Sequence, residues 1–268
     1  MIVNELLISI VTPIFNQSKE GFDAFFNSIL EQEYRNFECI IVDETIDTSL
    51  TNHYKNRCSE DCRFIYTRPK NKGLAASLNH GVSIARSDYI ARLDSDDIAI
   101  ISRLKVQINY MANNKVDVLG SSIGLIDSNN KIIGYRKYPR KNFLIKFALN
   151  FITPIAHPSV LIKKSLFEKF GNYDERLAYA EDLDLWLRFS KHNVIFENLD
   201  DSLTLFRQSN RIRDFRHWKT NLMVRFRSLN THNFLPRFIG ILIIFFWLLL
   251  PNSLKNIVYK FINISKIK

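Results

Sequence analysis

The sequence predicts an α/β protein whose sheet is mostly parallel and covered by helices on both faces. Two observations carry this reading. Between Leu6 and Leu119, short apolar runs alternate with segments of helical period, and the links are short. Polar and acidic residues stand where those runs end, at the edge where such sheets bind ligands. The composition agrees. Of 268 residues, 46% are hydrophobic and 24% charged, which excludes a disordered or collagen-like chain and suffices for one large core.

The elements follow in order. Leu6–Val11 is the first expected strand, ended by Thr12-Pro13. Lys19–Glu31 is a helix with Phe22, Phe25, Phe26 and Ile29 at helical spacing. Phe37–Val42 is the second strand, Asp47–Arg57 is weakly helical, and Arg63–Tyr66 is the third strand. Lys72–Arg86 is a helix with Leu74, Leu78, Val82 and Ala85 on one face. Asp88–Leu93 is the fourth strand, Ser102–Asn113 the next helix, and Val116–Leu119 the fifth strand. Beyond residue 120 the pattern is less regular. Ile123–Ile126 and Lys131–Tyr135 flank Asp127-Ser128-Asn129-Asn130 as a hairpin. Val160–Lys163 is a strand and Glu181–Ser190 a helix. We therefore expect a body over 1–206, with halves 1–120 and 121–206, and a C-terminal extension over 207–268.

Charge sets the extension apart. Residues 207–268 hold twelve Lys and Arg against one acid, Asp214, while residues 1–206 hold 25 basic and 26 acidic residues. Phe215, Trp218, Leu222, Phe226 and Leu229 stripe a basic helix. Phe238–Leu250 is 13 residues without a charge, closed by Pro251. That is short of the ~20 residues a membrane-spanning helix needs, and suits an in-plane or re-entrant segment. Leu254, Ile257, Val258 and Phe261 share a helical face, with Lys255, Lys260 and Lys266 placed elsewhere. Basic residues mixed with apolar stripes favour an anionic membrane surface as partner over nucleic acid. The alternative is a pair of helices docked on the core with a solvated basic face. Cys39, Cys58 and Cys62 cannot form a disulfide framework, so a reducing compartment is expected. No basic segment precedes the first apolar run, so no signal peptide is expected.

Asp94-Ser95-Asp96-Asp97 directly follows the fourth strand. Clustered carboxylates repel, and remain ionised together only beside a cation. Carboxylates select Mg²⁺ or Mn²⁺ over zinc. The alternative is a polar loop in which Asp97 caps the next helix. The competing acid motif fails, since no Gly follows Asp97 as an EF-hand loop requires. P-loop and dinucleotide glycine fingerprints are also absent.

These segments together resemble the family-two inverting glycosyltransferases of the GT-A fold. The resemblance rests on Ser9 to Asn16, Ile40-Ile41-Val42-Asp43-Glu44, Asn71-Lys72-Gly73-Leu74-Ala75 and Tyr89 to Asp97, in that order. It continues through Arg103-Leu104, Gln107 and His157-Pro158-Ser159-Val160, and ends at Ala180 to Arg188. It covers roughly 6–207 and is most similar to bacterial enzymes of capsule, exopolysaccharide or lipopolysaccharide synthesis. It implies a metal-dependent transferase moving a sugar from a nucleotide donor, most naturally UDP-linked, to a glycan or polyprenyl-linked acceptor. It would sit on the inner face of the cytoplasmic membrane.

The resemblance also implies residue roles. Pro13, Phe15 and Asn16 match the first nucleotide-contacting turn. Asp43 matches the acid that meets the nucleotide base, and Lys72 and Gly73 the segment passing near it. Asp94, Ser95 and Asp96 match the D-x-D motif, with Asp96 on the metal and Asp94 on the ribose or the metal. Asp182 matches the general base, and Glu181 would orient the acceptor or support that base. His157 and Trp186 are expected near the acceptor, although a hydrogen-bonded buried histidine and a core tryptophan fit equally. Arg92, in a buried strand, needs an anion or a nearby acid as partner. One departure stands out. The family usually continues Asp43 with Asp-Gly-Ser, and here the turn is Glu44-Thr45-Ile46. That departure motivates a rival reading, a non-catalytic nucleotide-sugar-binding scaffold.

Overall fold

Nine strands form one sheet in the computed structural model, which describes residues 6–208, 214–229, 234–250 and Leu254. The first half is a run of strand–helix units: β1 (Ile8–Ile14), α1 (Lys19–Leu30), β2 (Phe37–Asp43), α2 (Thr48–Cys58), β3 (Phe64–Thr67), α3 (Leu74–Ile84) and β4 (Tyr89–Arg92). Each helix starts on a local signal. Ser18 accepts from the Gly21 amide, and Asp47 accepts from Ser49 and Leu50, satisfying amides that have no partner inside the helix. In β1 and β2 nearly every residue is buried, and alternate side chains serve opposite faces. Val11, Ile40 and Val42 pack with α3, whereas Ile10, Cys39 and Ile41 pack with α1 and α4 (Arg103–Asn113). The expected helices on both faces are therefore present.

The second half adds β5 (Ile98–Ala99), β6 (Val118–Ile126), β7 (Ile132–Arg136), α5 (Asn142–Ala148), a 3₁₀ turn (His157–Ser159), β8 (Leu161–Lys163), α6 (Ser165–Phe170), α7 (Glu181–Ser190) and β9 (Phe196–Arg207). The strand order is β3-β2-β1-β4-β8-β6-β9-β5, with β7 beside β6. β1, β2, β3 and β4 pair in parallel, as do β6 and β9, while β5, β7 and β8 pair antiparallel to their neighbours. The sheet is mixed, with four parallel and four antiparallel pairings, so it is less parallel than the sequence suggests.

Two differences from the expected elements have a physical cause. β6 is one nine-residue buried strand rather than two short ones. Its centre, Gly120-Ser121-Ser122, lacks apolar period because neighbours approach its backbone closely. A side chain at Gly120 would meet Asn198 Oδ1 at 2.2 Å, and the Ser121 amide donates to Ser159 Oγ at 3.1 Å. β9 was not foreseen because Asp200 and Asp201 interrupt it. The register shifts there, so Leu199 faces Ser121 and Ser202 faces Ser122 while both acids stand exposed in the bulge.

The C-terminal helices α8 (Phe215–Arg227) and α9 (Phe234–Leu249) pack on the body through polar anchors. Arg225, 1% exposed, donates to the Leu149 carbonyl at 2.5 Å, and Arg237, also 1% exposed, donates to Asn150 Oδ1 at 3.1 Å. α9 buries Arg237, Gly240, Ile241 and Ile244 and exposes Phe238, Ile239, Leu242, Ile243, Phe245 and Phe246. No helix among the described residues is long and apolar enough to cross a membrane. The expected amphipathic stripe over Ile257, Val258 and Phe261 lies outside the described residues.

Candidate active site

β4 ends at Arg92 and delivers the acidic loop to the C-terminal edge of the parallel strands. Arg92 is 4% exposed and holds Asp94 with both terminal nitrogens, Nη1 reaching Oδ2 at 2.6 Å. The strand-borne cation thus finds a nearby acid, as its burial requires. One carboxylate oxygen from each of Asp94, Asp96 and Asp97 lies within 4.8 Å of the others. Burial, then the charge of Asp94, pushes Asp96 up from the usual carboxylate range. Burial also drives Asp97 well up, reinforced by Asp94 and Asp96.

Asp97 does not cap α4, which starts after Ser102. Its Oδ1 accepts from the Arg207 amide at 2.8 Å, and its buried Oδ2 has no hydrogen-bond partner among the described residues. Arg207 then clamps the loop. Its Nε donates to the Asp96 carbonyl at 3.0 Å and its Nη1 to the Asp127 carbonyl at 2.7 Å. Sequence reasoning missed Arg207, because nothing local marks the last residue of an unforeseen strand as a clasp. Asp94 and Asp96 stay partly exposed, offer hard oxygens and repel one another. That donor set, with an unpartnered buried oxygen behind it, fits a hard divalent cation.

The second acidic centre opens α7. Ala180 adopts a left-handed conformation (φ 59°) and turns the chain into the helix, so Glu181 and Asp182 occupy its first turn. Acids are favoured there by the helix dipole. Asp182 is partly exposed, and its Oδ1 accepts from the Leu183 amide at 2.7 Å. Glu181 is 8% exposed, and burial, then Asp182, pushes its carboxyl up to about 7. His157 Nδ1 lies 3.9 Å from Glu181 Oε1, and its Nε2 pairs with the Tyr173 hydroxyl at 2.8 Å. Burial, then the Arg92 charge, holds His157 well below the usual histidine range, so the ring is neutral. The charge of Arg92 is felt at Asp96, Asp97, His157, Tyr173 and Glu181. One buried guanidinium therefore acts electrostatically on groups of both acidic centres.

Three residues expected at donor or acceptor contacts are buried in this structure. Trp186 is fully buried and packs edge-on against His157 at 5.9 Å, with Phe189 and Phe196 around it. It backs His157. His157 is likewise buried, between Tyr173 and Glu181. Asp43 is 0% exposed, with Oδ1 accepting from Thr45 N at 2.7 Å and Oδ2 from Tyr66 at 2.6 Å and Thr51 at 3.3 Å. Its carboxylate organises the Thr45 turn. The Gly-free turn explains this, because Thr45 folds back on Asp43 and its hydroxyl also receives the Asn16 amide at 2.9 Å.

The remaining donor-side residues lie at the surface of that edge. Phe15 is 63% exposed, Pro13 is half-buried, and Asn16 takes a left-handed conformation (φ 49°). Lys72 and Gly73 are exposed, and Ser95 is buried beneath the acidic loop. Glu44, without an expected role, accepts from the Gly73 amide at 2.7 Å and from the Ser77 hydroxyl. It ties the second strand's turn to the start of α3.

A mixed sheet with helices on both faces and an acidic loop at the end of β4 has the architecture of the GT-A-like fold. The glycosyl transferase family 2 profile matches residues 9–171, and the chain belongs to that family. The match includes the Asp94 loop and ends before Glu181. The chain is 34% identical over 209 residues to the O-antigen biosynthesis glycosyltransferase WbnJ of Escherichia coli, covering 76% of this chain and 81% of that one. It is 30% identical over 194 residues to the E. coli UDP-Glc:alpha-D-GlcNAc-diphosphoundecaprenol beta-1,3-glucosyltransferase WfgD, covering 72% and 73%. The crystal structure of S. aureus TarS 1-349 with UDP-GlcNAc superposes with a TM-score of 0.62 over 84% of this chain and 67% of that one. Its 17% identity makes this a likeness of fold. The chain spans 40% of the longer TarS structure.

Proposed function

We propose that this protein moves a sugar from a nucleotide donor, UDP-linked, onto a glycan or polyprenyl-linked glycan acceptor with inversion, in assembly of a surface polysaccharide. The observation that carries the reading is the acidic loop of Asp94, Asp96 and Asp97 at the end of β4, with Asp94 held by the buried Arg92, together with the acids Glu181 and Asp182 in the first turn of α7. The UDP-Glc in the name of WfgD and the UDP-GlcNAc bound to TarS favour a UDP-sugar.

Pro13, Phe15, Asn16, Lys72, Gly73 and Ser95 line the donor side, and Asp43 supports it through Thr45. Asp182 takes the proton of the acceptor hydroxyl as that oxygen attacks the anomeric carbon, opposite the nucleotide. Such proton transfer contributes typically 10²–10⁴-fold. Glu181, held by His157 and backed by Trp186, keeps Asp182 at the start of α7 and sets its charge environment. Arg92 fixes Asp94 and offsets the acids on both sides. Asp96, with Asp94, would hold Mn²⁺ or Mg²⁺, which stabilises the negative charge of the departing diphosphate. The exposed apolar face of α9, within a basic segment, rests on the anionic inner face of the cytoplasmic membrane. Nucleic acid is not a partner in this reading.

Thermal shift with UDP, GDP, dTDP and CMP, each with and without Mn²⁺, tests the donor site. One nucleotide should raise the midpoint by several degrees only with Mn²⁺. Asp182→Asn should lower turnover about 10²–10⁴-fold and retain that shift. Unchanged turnover would remove Asp182 from the mechanism, and a folded protein that responds to no nucleotide would favour the scaffold reading. Deleting residues 234–268 should release the protein from the membrane fraction.

A further inference from the structure

A line of rings joins α9 to the catalytic carboxylates. Tyr179 lies on the loop that ends in the left-handed Ala180, just ahead of Glu181 and Asp182, and is 36% exposed. Its ring meets His217 of α8 edge-on at 5.5 Å. His217 meets Trp218 at 5.7 Å, and Trp218 meets Trp247 of α9 at 6.1 Å. His217, Trp218 and Trp247 are each half-buried, so part of every ring remains at the surface. None of the four belongs to the hydrophobic clusters that build the core. Arg216 and Lys219, both exposed, flank His217 and Trp218 on α8. Beyond Trp247 the exposed face of α9 is wholly apolar, with Leu242, Ile243 and Phe246 at its centre.

We infer that Tyr179, His217, Trp218 and Trp247 form the binding track for an amphiphilic acceptor, a sugar carried on a polyprenyl diphosphate. The sugar end reaches Asp182 past Tyr179. The diphosphate lies by Arg216 and Lys219, where two exposed cations match its charge. The first isoprene units lie along Trp218 and Trp247, and the chain leaves over α9 into the lipid surface. Ring chemistry suits Tyr179, His217 and Trp218, since Tyr, Trp and His present an apolar body with a polar edge and settle where water meets hydrocarbon, while Trp247 contributes an apolar face. This inference rests on the glycosyl-transfer reading and names its acceptor class.

The test is co-sedimentation with phosphatidylethanolamine–phosphatidylglycerol vesicles, bare or carrying undecaprenyl diphosphate. The wild-type chain should bind the loaded vesicles about tenfold more tightly than the bare ones. Tyr179→Ala and Trp218→Ala should each bring that preference to within about twofold of none, and Trp218→Phe, which keeps a ring, should restore most of it. The Mn²⁺-dependent nucleotide shift, read on the same variants, checks that each is folded. Equal wild-type binding to both vesicles, or a preference that survives Tyr179→Ala and Trp218→Ala, overturns the track. Failure of the transfer reading shows elsewhere. Ring-dependent binding of loaded vesicles by a protein that takes no nucleotide would reject the donor site and leave the track standing.

Discussion

The strand–helix half and the C-terminal half of this molecule are held together by different forces. In β1, β2 and α1 the contacts are apolar, and Phe22, Phe25, Phe26, Ile40 and Ile41 are essentially removed from water. From β6 onward, polar side chains bonded to main-chain carbonyls do much of the joining. Asn198 donates to the Pro139 and Pro154 carbonyls at 2.7 and 3.0 Å, and Arg188 donates to the Phe170 carbonyl at 2.6 Å. Arg225 and Arg237 fix α8 and α9 with no carboxylate partner among the described residues. Burial, then the charge of Arg237, lowers Arg225 to about 10. Apolar burial is non-directional and repeats with the element's period. A buried guanidinium is directional, and leaves no periodic trace.

The comparison can be broken from either side. The largest effect is expected in the apolar half, where Phe22→Ala should cost about 3–5 kcal/mol of global stability in guanidinium unfolding. Arg225→Met should cost about 1–3 kcal/mol by leaving the Leu149 carbonyl unpaired, and the loss should be local. Hydrogen exchange should rise in α8 and α9 while β1 and β2 keep their protection. Gly240→Ala probes the same seam sterically. Its Cβ would stand 1.9 Å from the Asn150 carbonyl oxygen, so α9 must move away at a cost of about 1–2 kcal/mol, read as faster proteolysis at α9. The smallest effect sharpens the site itself. Glu181 has an ordinary value of 4.5 and is pushed up to about 7 in the fold, so the folded state holds its proton more tightly. The carboxyl's contribution is fully present below pH 4.5 and is lost as pH rises through about 7. Glu181→Gln stays neutral, and should gain stability over wild type as pH rises through about 7, with the gap closing toward pH 4.5 in a melting series.

Legibility follows the same division. Strands β1 to β4 and helices α1, α3 and α4 are readable because two-face burial makes continuous apolar runs and amphipathic helices make stripes. α7 is readable for the same reason, and Asp94, Asp96, Glu181 and Asp182 stand out as acids at element ends. β9 is not readable, since its bulge sets two exposed acids inside a strand. Arg207 and Glu44 carry no local mark, because each works on backbone or side-chain groups distant in sequence. The enclosure of Asp43 depends on Tyr66 and Thr51, which only the folded sheet brings to it.

The sequence by itself determined the alternation of strand and helix, the acids at the strand ends and helix start, and the basic, apolar character of the C-terminal segment. These are local properties, set by side-chain type and spacing along one element. Tertiary structure alone decided the insertion of antiparallel β8 between β4 and β6, the sealing of Asp43 and Trp186, and the pairing of the buried Arg92 with Asp94. It also decided which face of α9 meets the body. Each of these depends on hydrogen bonds and desolvation between residues far apart in the chain, and those energies exist only once the segments have met.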